Sequence, residues 1–327
     1  MRVLITGASG WIGAALTQRL LLGGHEVTAI VRRPQAFPLP PSERLHLISG
    51  DLLDVDVVHR AMRGCTHVYH LAAFAKVWTP DDRTYFEQNV TATNNLLTAA
   101  QQASIDRMVH VGTAGIWGPS IRSVVDEQKV RDIDFFNAYE SSKAMADLAV
   151  KDAVIQTGLD AVIVSPTRVY GPALSGKPQG VTQLIDKYVR GSWRWHPGDG
   201  TRVGNYVYID DVVEGLLLAM EHGVKGETYL LAGENSDYIH FFKRIAELSG
   251  IHRTMLPMPS WLQMAFAYVQ LALAKTVGRE PLITPSWSAK GLYDWEVDGT
   301  KAQRALGLRP TSLDEGIRKT VSWLSQL

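Results

Sequence analysis

The 327-residue chain has one cysteine, Cys65, no excess charge of either sign and no long apolar run. A single cysteine rules out an intrachain disulfide and a thiolate metal site, and it fits a reducing, cytoplasmic setting. The 33 lysines and arginines balance 33 aspartates and glutamates. Nothing here supports nucleic-acid binding, which draws on a basic excess or stripe. The most apolar later stretch, residues 261–274, is broken by Gln263 and Gln270. It is shorter than the roughly 20 residues of a transmembrane helix, which leaves at most contact with a membrane surface. The first residues show no charged-then-apolar leader. The histidines lack the His-Glu-x-x-His spacing, and His67 and His70 flank a strand as packing residues, so no metal is expected.

What the chain does have is glycine, and its placement is informative. MRVLITGASGWIG opens with a β-branched run at 2–6, followed by Gly7, Gly10 and Gly13 and then an amphipathic segment at 14–22. A strand that ends in a glycine turn and opens a helix is a dinucleotide-binding arrangement. The first glycine permits a tight turn, the second lets backbone approach a pyrophosphate, and the third lets helix and strand pack closely. The helix N-terminus then faces the phosphates. The length allows one large α/β unit with a smaller lobe.

Further short apolar runs follow at 26–31, 45–48, 66–71, 107–111 and 159–165, alternating with helical stretches such as 82–103. That rhythm predicts a doubly wound parallel sheet. The second strand ends in Arg32 and Arg33 instead of the acid that binds ribose hydroxyls. A guanidinium pairs with a 2′-phosphate, so the expected cofactor is NADP(H). Asp51 follows the third strand, where its carboxylate could accept from an adenine amino group. Ala72 and Ala73 after the fourth allow close backbone approach. Thr113 follows the fifth strand, at the sheet end where doubly wound folds bind ligands. Tyr139 and Lys143 stand four apart on a helix, and so share a face. Beyond Gly171 the rhythm breaks. The expected division is a Rossmann domain at 1–170, to which 203–235 returns, and a substrate lobe at 171–202 and 236–327. Ser312 and Glu315 form a capping box for the last helix.

The pieces TGASGWIG (6–13), GDL (50–52), HLAA (70–73), NVTAT (89–93), GTAGIWG (112–118), YESSK (139–143), PTRVYGP (166–172) and YVYIDDV (206–212) occur in that order. In this the chain resembles the extended short-chain dehydrogenase/reductase family of NAD-dependent epimerases, dehydratases and related reductases. It is most similar to the dihydroflavonol-reductase-like and 3β-hydroxysteroid-dehydrogenase-like members, through Arg32 and Arg33, the apolar helix after Pro257, and the ending SLDEGIRKTVSWL (312–324). The resemblance implies catalytic roles for Thr113, Tyr139 and Lys143. It adds Ser9, Trp11 and Ile12 to the glycine turn as cofactor contacts, and Leu52 beside Asp51. Leu71, Asn89 and Val111 are implied on the same grounds, as are Pro166, Thr167 and Val169. Ala114 and Gly115 stand where the family's dehydratases carry an Asp-Glu pair, which argues against dehydration. Family members often form homodimers through helices that include 92–103 and 139–155.

In this chemistry the ammonium of Lys143 and the positive nicotinamide favour the phenolate of Tyr139, which exchanges a proton with the substrate oxygen that Thr113 polarises. The substrate is a small molecule. Aromatic candidates for its pocket are Phe74, Trp78, Trp117, Tyr170, Trp193 and Trp195, with Lys76, Gly115 and Ile116 beside them. This balance favours a largely apolar or mixed secondary alcohol, ketone or aldehyde, acted on by an NADP-dependent dehydrogenase or reductase. The alternative is an epimerase or isomerase of a nucleotide sugar that retains its nicotinamide, with Lys177, Arg194 and Arg202 meeting the phosphates.

Overall fold

Runs rich in valine, isoleucine and leucine become the strands of one parallel sheet. The computed structural model describes residues 1–278 and 280–327. The first half contains β1 (Arg2–Thr6), α1 (Trp11–Leu22), β2 (Glu26–Val31), β3 (Leu45–Ser49), α2 (Val55–Met62), β4 (His67–His70), α3 (Arg83–Phe86), α4 (Ala92–Gln102), β5 (Arg107–Val111) and α5 (Ala138–Thr157). After it come β6 (Ala161–Pro166), β7 (Arg168–Tyr170), α6 (Val181–Arg190), β8 (Trp195–Pro197), β9 (Val203–Tyr208), α7 (Ile209–His222) and β10 (Thr228–Leu231). The chain closes with β11 (Glu234–Asp237), α8 (Tyr238–Ser249), β12 (Leu256–Met258), α9 (Ser260–Val277), α10 (Pro285–Lys290), α11 (Thr300–Leu306) and α12 (Leu313–Leu324).

The main sheet runs β3-β2-β1-β4-β5-β6-β10, with every neighbouring pair parallel. Side chains alternate across it, as the two-residue repeat of a strand requires. Val3 and Ile5 enter a core with Leu16 and Leu20 of α1 and Leu216 of α7. Leu4 enters the opposite core, with Val58 of α2, Leu96 of α4 and Val150 of α5. Each such side chain contributes about 1.5–3 kcal/mol on burial. Strand order reverses between β1 and β4, and the crevice at the C-terminal ends of the strands there is where such sheets bind ligands.

The helix expected over 82–103 is interrupted by a wider, π-helical turn at Glu87–Thr91. Turns of this kind occur often at functional sites, and this one carries the buried Asn89. A smaller sheet, β11-β9-β7, and a β8–β12 pair lie outside the main one. Their core holds Tyr170, Tyr188, Tyr208 and Phe241, with Ile317 of α12. The segment 203–235 divides between the layers: β9 joins the small sheet, whereas β10 completes the large one. Ser312 caps α12 by accepting from the Glu315 amide at 3.3 Å. Among the described residues, no helix is long and apolar enough to cross a membrane.

Candidate active site

The turn after β1 is built so tightly that side chains are excluded from it. Gly7 has φ +72°, and a Cβ there would lie 2.6 Å from the Ala72 amide nitrogen; one on Gly13 would lie 2.1 Å from the Gly7 carbonyl oxygen. Gly10 opens α1, and no side chain caps that helix. Its first amides are therefore offered to an anion, and the residues fit a dinucleotide pyrophosphate. The adjoining cleft, about 220 Å³, has Ser9, Asp51, Leu52, Leu71, Ala73 and Arg32 in its walls. The Asp51 Oδ1 accepts from the Leu53 amide at 3.0 Å. Asp54, not Asp51, caps α2. Trp11 turns its indole towards the smaller lobe, donating to the Pro172 carbonyl at 2.7 Å, which leaves its backbone at the helix start. Ile12 packs between two cores, and Val169 does the same.

Asn89 does not line this cleft. Its side chain accepts from the Phe74 amide at 2.7 Å and donates to the Ser142 hydroxyl at 2.9 Å. It therefore ties the loop after β4 to α5 from within the π-helical turn. Phe74 forms part of the cleft wall, and its ring meets Tyr85 edge-on at 5.1 Å.

Thr113 and Tyr139 face a second cavity of about 390 Å³. The Thr113 hydroxyl accepts from the Gly115 amide at 3.3 Å and shares the cavity wall with Tyr139. Lys143 is buried and donates to the carbonyl of Val111, at the end of β5, at 2.7 Å. The expectation that the phenol is acidified is not met in the protein alone. Burial pushes Tyr139 up to about 12, and the nearby Asp147 and Glu140 act in the same sense; the Thr113 hydroxyl opposes this. Burial also lowers Lys143, while Asp147 works to keep it charged.

Below the lysine lies a buried polar network. His110 Nε2 meets Asp147 Oδ1 at 3.1 Å. His70 bridges the Thr6 hydroxyl at 2.7 Å and the Thr93 hydroxyl at 2.8 Å. Burial holds both imidazoles well below their usual range, with Lys143 adding to it, and pushes Asp147 up to about 6.

Most of the expected substrate contacts lie elsewhere; of the nine, only Gly115 lines this cavity. Tyr170 is fully buried against Tyr208, with ring centroids 5.7 Å apart. Trp117 belongs to a core with Val125 and Leu230, and Ile116 packs on it. Trp193 and Trp195 sit at the exposed β8 edge, and Trp78 lines a separate groove beside Tyr268. Lys76 is exposed and pairs with Glu280 at 3.3 Å. Of the proposed phosphate ligands, Arg202 pairs with Asp294 at 3.1 Å, and Lys177 and Arg194 are exposed.

The cavity is walled instead by Pro166 and Thr167, by Arg168 and Asn205, and by Tyr238, Trp287, Lys290 and Trp295. The Trp287 ring stacks on Tyr139 at 6.0 Å. Lys290 pairs with the buried Glu140 at 2.6 Å. Pro166, Thr167 and Arg168 lie inside PTRVYGP, and the first two were expected to contact the cofactor. Asn205, Tyr238, Trp287, Lys290 and Trp295 come from stretches with no motif, far apart along the chain.

A glycine turn at a parallel-sheet switch point, beside a hydroxyl, a tyrosine and a lysine, defines a nicotinamide-dependent hydride-transfer enzyme. The chain belongs to the NAD dependent epimerase/dehydratase family, whose model matches residues 3–232. It is 30% identical to sterol demethylase protein B of Methylococcus capsulatus, over 100% of this chain and 99% of that one. It is also 30% identical to 4-hydroxy-2-methyl-3-oxo-4-farnesyl-3,4-dihydroquinoline-1-oxide ketoreductase of Stigmatella aurantiaca, covering 94% and 91%. Among solved structures it resembles dTDP-glucose 4,6-dehydratase of Streptomyces venezuelae with NAD bound, at 25% identity and TM-score 0.79, covering 100% and 97%.

These relationships correct the expectation of NADP(H) and of an NADP-dependent enzyme. The family is described as NAD dependent, and the solved neighbours with a named dinucleotide hold NAD. The arginine argument fails for a physical reason. Arg32 is an exposed wall residue of the cleft, with the Asp51 carboxylate in the same cleft, and Arg33 is exposed at the start of the next turn. A guanidinium so placed can lie against an adenine ring by stacking alone, with no 2′-phosphate to pair.

Proposed function

We propose that the protein is an epimerase-type enzyme that uses NAD to oxidise a hydroxyl-bearing carbon of a nucleotide-sugar-like substrate and then reduce it again. The observation that carries this reading is the grouping of Thr113, Tyr139 and Lys143 where the dinucleotide half meets the larger cavity. The NAD-bound sugar-nucleotide enzymes among the solved neighbours support it. So do Ala114 and Gly115, which put no carboxylate next to Thr113 for a dehydration.

The glycine turn and the α1 amides hold the pyrophosphate, while Asp51 and Arg32 flank the adenosine end. NAD, when bound, supplies a hydride acceptor and a positive ring. Thr113 orients the substrate oxygen, and Tyr139 takes its proton at Oη and later gives it back. Lys143, one turn along α5 from Tyr139, is anchored on the Val111 carbonyl, and Asn89 fixes α5 against the loop after β4. Tyr139, held up to about 12, stays protonated in the protein alone, and the positive ring of a bound nicotinamide would favour its phenolate.

A second reading, a dehydrogenase or reductase of an apolar alcohol or ketone, is favoured by the aromatic walls Tyr238, Trp287 and Trp295. It would bring the chain nearer to 3β-hydroxysteroid dehydrogenases, to which it is 26% identical. Incubation with NAD and UDP-glucose, UDP-glucuronate or dTDP-glucose, with NMR analysis of the product, separates the two. Epimer formation without net NADH supports the first. Stoichiometric NADH use with apolar ketones alone overturns it in favour of the second.

A further inference from the structure

The larger cavity contains positive charge that the protein itself does not balance. Arg168 and Lys290 both face it, and among the described residues none of those lining it is acidic. Arg168 has no carboxylate within ion-pair distance among the described residues; its nearest polar partners are the phenol oxygens of Tyr206 and Tyr238, both at 3.4 Å. Among the described residues Lys290 pairs with one carboxylate, Glu140, which Arg131 also holds at 2.8 Å, and its ammonium lies 4.7 Å from the Trp287 ring centre and 4.8 Å from that of Trp295. Lys290 and Arg131 therefore share one anion, and Arg168 has none among the described residues. Trp287, in the same wall, has its indole N–H buried with no acceptor. Burial lowers Lys290, Glu140 opposes this, and Arg168 and Arg131 add to it. A protein seldom leaves two cations facing one cavity, with a buried N–H donor in its wall, without an acceptor for them.

We propose that Arg168, Lys290 and the Trp287 N–H form an oxyanion subsite, which binds a carboxylate or phosphate group of the substrate. This rests on the reading of the cavity as the substrate site and adds what the substrate must carry. Trp287 stacks on Tyr139, and Glu140, the partner of Lys290, is the next residue in the chain. The anionic group therefore lies close to the reacting carbon. Tyr238, Trp295 and Ile283 supply apolar or aromatic wall for the remainder. Two cations with matching N–H donors bind carboxylate and phosphate oxygens alike by charge-assisted hydrogen bonds.

The test is calorimetric titration of the NAD-saturated protein with two pairs of probes, acetoacetate against acetone and UDP against uridine. The wild type should bind at least one anionic member about tenfold or more tightly than its neutral partner, the scale expected of a buried charge pair. A preference confined to the first pair identifies a carboxylate, and one confined to the second a phosphate. Arg168→Gln and Lys290→Met should each remove most of the preference. Arg168→Lys and Lys290→Arg, which keep the charge, should retain part of it and show that the fold survives. Equal binding of charged and neutral probes by wild type would overturn the subsite, as would a preference that survives the Arg168→Gln/Lys290→Met double variant. Tyr139→Phe should keep the preference. If the preference stands while no substrate is turned over, the functional reading fails and the subsite does not.

Discussion

The dinucleotide cleft and the substrate cavity are neighbours made of different materials. The cleft is mostly backbone: a glycine turn, the first amides of α1, and small residues after β4, all at strand ends of one sheet. The cavity is mostly side chain, contributed by segments from Thr113 to Val297. Backbone recognition demands the absence of side chains and so leaves short contiguous motifs. Side-chain recognition demands only that the right groups converge, and convergence leaves no local pattern. The first kind of site suits a cofactor shared by a family, and the second suits a substrate that differs among its members.

The largest expected effect lies at the junction of the two. Tyr139→Phe should lower turnover by about 10²–10⁴-fold, the range of a lost general acid/base. NAD affinity measured by calorimetry should stay within about twofold, since the phenol is not part of the pyrophosphate cradle. Comparable losses in both would mean that the two regions are not separable.

Gly13→Ala tests the cleft alone. Its Cβ would meet the Gly7 carbonyl oxygen at 2.1 Å, and backbone cannot yield as a flexible side chain can. Overpacking of this kind costs about 1–3 kcal/mol. A melting curve should show that loss, together with weaker NAD binding, while the anion preference of the cavity persists.

Asp147→Asn addresses the network beneath both regions. Asp147 is raised, chiefly by burial, from 3.8 to about 6. The unfolded chain therefore releases this proton first as pH rises, so the group stabilises the fold in acid and loses that contribution as pH climbs to about 6. The stability difference between wild type and Asp147→Asn, from urea unfolding, should shift against the wild type by on the order of 3 kcal/mol between about pH 4 and pH 7. A difference that does not change with pH would mean that Asp147 keeps its ordinary acidity.

The smallest effect is expected at Ser312→Ala, which removes the cap of α12 in the smaller lobe. It should cost about 1 kcal/mol of stability. A matching fall in NAD affinity would show that the two halves are coupled more tightly than their separate cores suggest.

The contrast also explains what could be read in advance. β1, β2 and β5 occupy the same residues as the runs in the sequence, because an apolar β-branched run between turns has few other uses. β7 was missed: three residues, Arg168–Tyr170, within a motif look like a loop until β9 pairs with them. Tyr170 and Trp117 were placed in the pocket because aromatic residues suit both pockets and cores, and only packing distinguishes them. Arg32 and Arg33 pointed to the wrong dinucleotide because a charge at a strand end does not say what it faces.

The order of elements, the parallel sheet, the glycine cradle and the four-residue spacing of Tyr139 and Lys143 on one helix were determined by the sequence itself. Each depends on contacts between residues near one another in the chain, or on a periodicity that repeats along it. The charge of the substrate cavity was decided only in three dimensions. Arg168 and Lys290 are more than a hundred positions apart, and either alone would pass for a solvated cation. They become a site because β7 and α10 bring both to one cavity, and because, among the described residues, Glu140 partners Lys290 and no acid partners Arg168.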